Sequence, residues 1–125
     1  PISPRSSHSA VVCSVASGCA SIDGRPYMFV FGGWGLQRCG GLHQCYRHFD
    51  DLFSLELNTM HWERVPVNTL EPMPYARKGH SATLLNGSKM LVFGGSAWTP
   101  DPEADNAYGA TTKHANDVWL INMDG

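Results

Sequence analysis

What this sequence has little of narrows its function first. Only 16% of its 125 residues are charged, the formal net charge is −2, and no block of like charges occurs. That leaves no basic patch for nucleic acid and no polybasic stretch for an anionic membrane, so neither is expected as a partner. No apolar run approaches the roughly 18 residues that a membrane-crossing helix needs. The N-terminal residues lack the basic, then apolar, then small-residue order of a secretory signal. The chain begins at Pro1 without an initiator Met, so an upstream region is expected to have been removed. Four cysteines are few for a small secreted disulfide scaffold, although two bridges are possible. Cys13 stands in an apolar strand-like run and reads as a free buried thiol, which favours a reducing, cytoplasmic setting. No serine sits in a Gly-x-Ser-x-Gly elbow, so no nucleophilic triad can be built. Neither Gly32-Gly33 nor Gly94-Gly95 is followed by the Lys-Ser/Thr pair and helix start of a phosphate-binding loop. No catalytic residue and no cofactor are expected.

What is present is turn chemistry between short apolar runs. Thirteen Gly and eight Pro punctuate the chain and favour strands over helices, which makes the expected class all-β. Within this pattern lies an internal repeat. His8-Ser9-Ala10 recurs as His80-Ser81-Ala82, each preceded by an arginine, Arg5 or Arg77. The run Tyr27 to Gly33 recurs as Lys89 to Gly95, and Asp51-Leu52-Phe53-Ser54-Leu55 recurs as Asp117-Val118-Trp119-Leu120-Ile121. The offsets are 72, 62 and 66 residues, so the two copies differ only between the matched pieces, as insertions confined to connections require.

Each copy reads as a strand meander. Ser9 to Ala16 and Tyr27 to Phe31 are apolar on both faces, as strands covered on two sides must be. Phe53, Leu55 and Leu57 alternate with Ser54 and Glu56, Asn58-Thr59 offers a turn, and His61 to Val65 supplies a fourth strand. The expected pairing joins Ser9 to Ala16 with Met28 to Phe31, and Ser81 to Leu85 with Met90 to Phe93.

These residues resemble the kelch repeat: the Arg and His-Ser-Ala opening, the apolar run ending in Gly-Gly, the Asp-led third strand and Trp62 in the fourth. The resemblance implies kelch-type β-propeller blades, each a four-stranded antiparallel meander, with one blade over residues 1–66 and a second over 67–125 that lacks its last strand. Two such units form an incomplete propeller, because four to eight blades close a ring. The chain is therefore expected to be part of a longer protein, with self-association of the isolated fragment through open blade edges. Trp62 is expected to pack between blades, and Arg5 and Arg77 to tie blades together.

Propeller geometry brings the connections Trp34 to Asp50, Pro66 to Gly79 and Ser96 to Asn116 to one face. They carry Trp34, Leu36, Arg38, Tyr46, Arg47, Trp98 and Tyr108, side-chain types that dominate binding hot spots. The expected function is a non-catalytic protein-interaction segment of a propeller scaffold that takes a protein or peptide on this loop face. Trp34, directly after Gly33, is the first of these expected to fold back on the blade. Cys39, His43, Cys45 and His48 crowd one loop and are chemically capable of holding zinc, but their spacing fits no zinc finger and the second copy lacks them, so no metal is expected. The alternative is part of a propeller enzyme or metalloprotein, galactose-oxidase-like, whose remaining ligands lie outside this chain.

Overall fold

The computed structural model describes residues 2–14, 19, 23–41, 43–66, 73–85, 89–104 and 109–123. All the regular structure in them is β. The strands in chain order are β1 (Ser9–Cys13), β2 (Tyr27–Phe31), β3 (Trp34–Gly40), β4 (His43–His48), β5 (Leu52–Glu56), β6 (His61–Arg64), β7 (Arg77–Lys78), β8 (Ser81–Leu85), β9 (Lys89–Phe93), β10 (Ser96–Pro100), β11 (Ala110–His114) and β12 (Val118–Asn122).

The first repeat forms the four-stranded sheet β1-β2-β5-β6, antiparallel throughout. The second forms β8-β9-β12, in which β12 is an edge strand among the described residues. The expected pairings hold: Ser9 lies opposite Phe31 and Ser81 opposite Phe93. Ala16 lies outside the described residues.

A strand sends alternate side chains to opposite faces, so each sheet has a front and a back. The front of the first sheet carries Val11, Cys13, Phe29, Phe31 and Leu52. The back of the second carries Met90, Val92 and Ile121, with Ala82, Leu84 and Trp119 half-buried beside them. These two faces make one hydrophobic core. The core is thus the joint between the blades.

The same joint carries polar ties. His80 Nε2 lies 2.7 Å from Ser9 Oγ, and its ring meets Phe31 edge to face. The Gly33 amide donates to the Arg77 carbonyl at 2.8 Å. His80 therefore bonds across the two blades.

Three expectations are corrected. The Arg77 guanidinium does not reach the other blade. It binds Asp117 through both carboxylate oxygens, at 2.7 and 3.0 Å, and the Gly94 carbonyl, so it fastens the second repeat to itself. Arg5 makes the same set of contacts with Asp51 and Gly32 in the first repeat. Arg77 meets the first blade through its backbone. Cys13 is bonded to Cys19 and is no free thiol, and the Cys19 amide donates to the Ser14 carbonyl at 3.1 Å. Trp62, opposite Leu55, points to the back of the first sheet, away from the second blade, and is half-buried on that open flank.

Candidate functional site

The two long connections are β-hairpins rather than loops. Trp34 to His48 folds as β3-β4 and Ser96 to His114 as β10-β11, and both rise from the Gly-Gly end of a blade's second strand. Glycine is required there. Gly33 and Gly95 have φ of +93° and +86°, and a Cβ on them would stand 2.7 Å from the Ser6 carbonyl and 2.5 Å from the Lys78 carbonyl. With that space kept, the chain turns upward and pairs with the segment before the next strand: Trp34 bridges Ser6, and Ser96 lies opposite Lys78. Ser6 and Lys78 hold matching places in the two repeats, so the hairpins are themselves a repeated element.

Period-two alternation divides the first hairpin. Trp34, Leu36, Arg38, Tyr46 and His48 share one face, and Gln37 and Arg47 the other, where Arg47 donates to Gln37 at 2.8 Å. On the first face Trp34 stacks on Tyr46 at 4.7 Å between ring centroids, and Lys78 Nζ caps the Trp34 ring at 3.4 Å, a cation–π contact across the repeats. His48 stacks on Trp98 at 4.9 Å and so joins the hairpins of the two blades. Trp34 is thereby built into this stack and half-buried, as expected of it. Leu36, Arg38 and Tyr46 remain exposed.

His48 is buried with no hydrogen-bond partner for either ring nitrogen. Burial, reinforced by the nearby Lys78 charge, lowers its pKa to about 4 and holds it neutral at pH 7. A neutral imidazole between indoles serves as an aromatic spacer. Beside it, Arg47, Asp50, Met73, Tyr75, Trp98 and Pro100 line an open cleft of about 330 Å³ between the hairpins.

Six of the seven residues expected on the binding face lie among the described ones. Trp34, Leu36, Arg38 and Tyr46 share a surface and Trp98 reaches it through His48, whereas Arg47 points into the cleft behind. Tyr108 lies outside the described residues. Cys45 is disulfide-bonded and unavailable to a metal, His48 is engaged in the stack, and the side chains of Cys39 and His43 are outside the description. Among the described residues no group of three or more His, Cys, Asp or Glu is placed to hold a metal ion. The sequence reading missed Lys78, Tyr75 and the bridging role of His48. The alternation of His48 with Tyr46 was the one available signal.

Comparison with known proteins gives this arrangement a context. The KLHDC2/KLHL20/DRC7 Kelch-repeats domain matches residues 1–125, the whole chain. Host cell factor 2 of Homo sapiens is 38% identical over 98 residues, covering 78% of this chain and 10% of its own length. Host cell factor of Drosophila melanogaster is 30% identical over 115 residues, 89% of this chain and 7% of that protein. Host cell factor 1 of Homo sapiens is 29% identical over 116 residues, 91% and 5% respectively. The chain thus spans a tenth or less of the length of these relatives.

Proposed function

The chain belongs to the kelch-repeat family, and from that membership we propose that it is a non-catalytic binding segment of a larger kelch propeller, with repeats over 1–66 and 67–125, that takes a protein or peptide on its hairpin face. The observation that carries this reading is the His48–Trp98 stack. It locks the hairpins of two blades into one surface and leaves Leu36, Arg38 and Tyr46 exposed on a rigid support. A rigid aromatic and aliphatic patch with an arginine beside it is the composition that anchors protein partners, since little side-chain entropy remains to be lost on binding. The cleft behind it, with Tyr75 and Trp98 as walls, is large enough for one or two side chains of an extended peptide. The cytoplasm belongs to the same proposal. It requires that burial preserve the Cys13–Cys19 bond, since both cysteines lie in the core and reduction needs a thiolate to reach the sulfur.

The test is selection of peptides from a random display library against the folded chain. Binding of the selected peptides should weaken at least tenfold with Tyr46→Ala or Leu36→Ser, and with Trp98→Ala. Selected peptides that bind all three variants as well as the parent would place the site elsewhere and sink the proposal.

A further inference from the structure

The Cys13–Cys19 bond is an addition to the blade rather than a condition for it. Between the first two strands of the repeat the offset of the two copies falls from 72 to 62, so the β1–β2 connection is ten residues longer than its counterpart, and Cys19 stands in it. Cys13, the last residue of β1, corresponds to Leu85 in the second repeat, where the same two strands pair in the same register without a cysteine. The blade asks only for an apolar side chain at this position. The first repeat alone makes it a covalent tie.

The tie lies in the joint between the blades. Cys13 and Cys19 are 1% and 3% exposed, and both belong to the core that Phe29, Phe31 and Leu52 of the first blade share with Met90, Val92, Ile121 and Met123 of the second. Reduction of a disulfide begins when a thiolate attacks one sulfur and expels the other as a new thiolate. In the closed joint that would place an unpaired charge among apolar side chains, which is strongly unfavourable. Parting of the blades opens a path to the sulfurs and lets water solvate the leaving thiolate. The linkage runs in both directions. The closed joint protects the bond, and the bond, closing a loop between cysteines six residues apart, restricts the unfolded chain and so favours the closed joint.

We propose that Cys13 and Cys19 form a redox latch on the blade joint, which a dithiol reductant opens only when the blades part and whose opening leaves the joint weaker. One thiolate of the reductant attacks a sulfur of the pair and forms a mixed disulfide, and its second thiol then displaces that sulfur. Cys13 and Cys19 end as two thiols and the reductant as a disulfide, two electrons and two protons having passed to the protein. A chain held closed thus keeps its bond among reductants, and a chain whose blades have parted loses it. This latch is separate from the hairpin face and from the choice of compartment.

The test exposes the folded chain to dithiothreitol, alkylates it at intervals and maps the labelled cysteines by peptide mass. Cys45, disulfide-bonded in β4 and only half-buried, should be labelled first. Cys13 and Cys19 should be labelled together and at least about tenfold more slowly, since they wait for an opening of the core. Val92→Ala, in β9 of the second blade, should speed their labelling by the same factor by which it lowers the folding equilibrium constant in urea. Ile121→Val is the milder substitution if Val92→Ala does not fold. In a Cys39→Ala/Cys45→Ala background, which leaves only these two cysteines, the reduced chain should have a folding equilibrium constant at least about tenfold below that of the oxidised chain. Labelling of Cys13 and Cys19 without reductant, or as fast as Cys45, overturns the proposal. So does a labelling rate that neither core substitution changes, which means the sulfurs are reached with the joint closed, and so does equal stability of the oxidised and reduced chains.

Discussion

Arg5 and Arg77 show how a buried cation is tolerated. The Arg77 side chain is fully buried, yet its guanidinium spends its donors on two Asp117 oxygens and the Gly94 and Tyr75 carbonyls, leaving little unsatisfied. The pairing holds the Asp117 carboxyl down at about 2. Because Asp117 is partly exposed, Asp117→Asn should cost less than the loss of a wholly buried partner, about 2–3 kcal/mol in urea unfolding; an unchanged midpoint would show that the fork carries no net stability. His48 and His80 act with the opposite sign. Burial comes first for both, followed by the charge of Lys78 for His48 and of Arg77 for His80, and each pKa falls from 6.5 to about 4. Below pH 6.5 the unfolded chain takes up protons that the folded chain refuses, so stability is complete above that pH and is lost as pH falls toward 4. His48→Phe keeps an aromatic ring against Trp98 and removes one of the two titrations. It should roughly halve the slope of unfolding free energy between pH 6.5 and 5, above the range where the carboxylates contribute, and an unaltered slope would refute the burial of His48. At this scale the recurring Arg, His and Asp were legible because they come in matched pairs. The role of His48 was not, since it depends on which indole a fold places over it.

At the scale of the element, the blades were readable and the hairpins were not. Strands of the meander are apolar on both faces and occur twice, which fixes their limits and pairing. The segment Trp34 to Asp50 is polar at alternate positions and has glycines near its tip, so it reads as a loop, although Trp34, Leu36 and Arg38 already carry the period of two. What turns it into a hairpin is the anchoring of Trp34 on Ser6, a bridge to a residue far away in the sequence that no local pattern announces. The Cys13–Cys19 bond was hidden for a similar reason: it depends on where the fold brings Cys19, while the sequence around Cys13 shows only an apolar run. The glycines give the element-scale prediction. Gly32 has φ +69°, and a Cβ there would stand 2.8 Å from both the Arg77 carbonyl and His80 Cε1, whereas Gly79 has φ +67° and nothing within 4 Å. Gly79→Ala should therefore cost only the left-handed strain, about 1–2 kcal/mol. Gly32→Ala should cost at least that again, because the blades must part to admit the methyl. Equal losses in thermal or urea unfolding would mean that the blades are not in close contact at this corner.

For the whole molecule, the position of the core decides how it unfolds. The main core is shared between the sheets: Phe31, Leu52 and Cys13 from one and Met90, Val92 and Ile121 from the other bury each other, and the His80–Ser9 and Gly33–Arg77 bonds lie at the same joint. A blade separated from its neighbour would expose that whole face, and each large apolar side chain uncovered forgoes roughly 1.5–3 kcal/mol, so a handful of them equals the stability of a small domain. The two repeats are therefore one cooperative unit despite being separate sheets in hydrogen-bonding terms. Val92→Ala, at a fully buried site in β9, removes two methyl groups and should destabilise by on the order of 2 kcal/mol. If the joint is the core, native-state hydrogen exchange in that variant should accelerate by the same factor for the amides of Phe29 and Val30 in β2 as for those of Met90 and Leu91 in β9. Protection lost in β9 alone, with β2 as slow as in the parent, would mean that the first blade stands by itself and that the interface is a contact between two independently folded sheets.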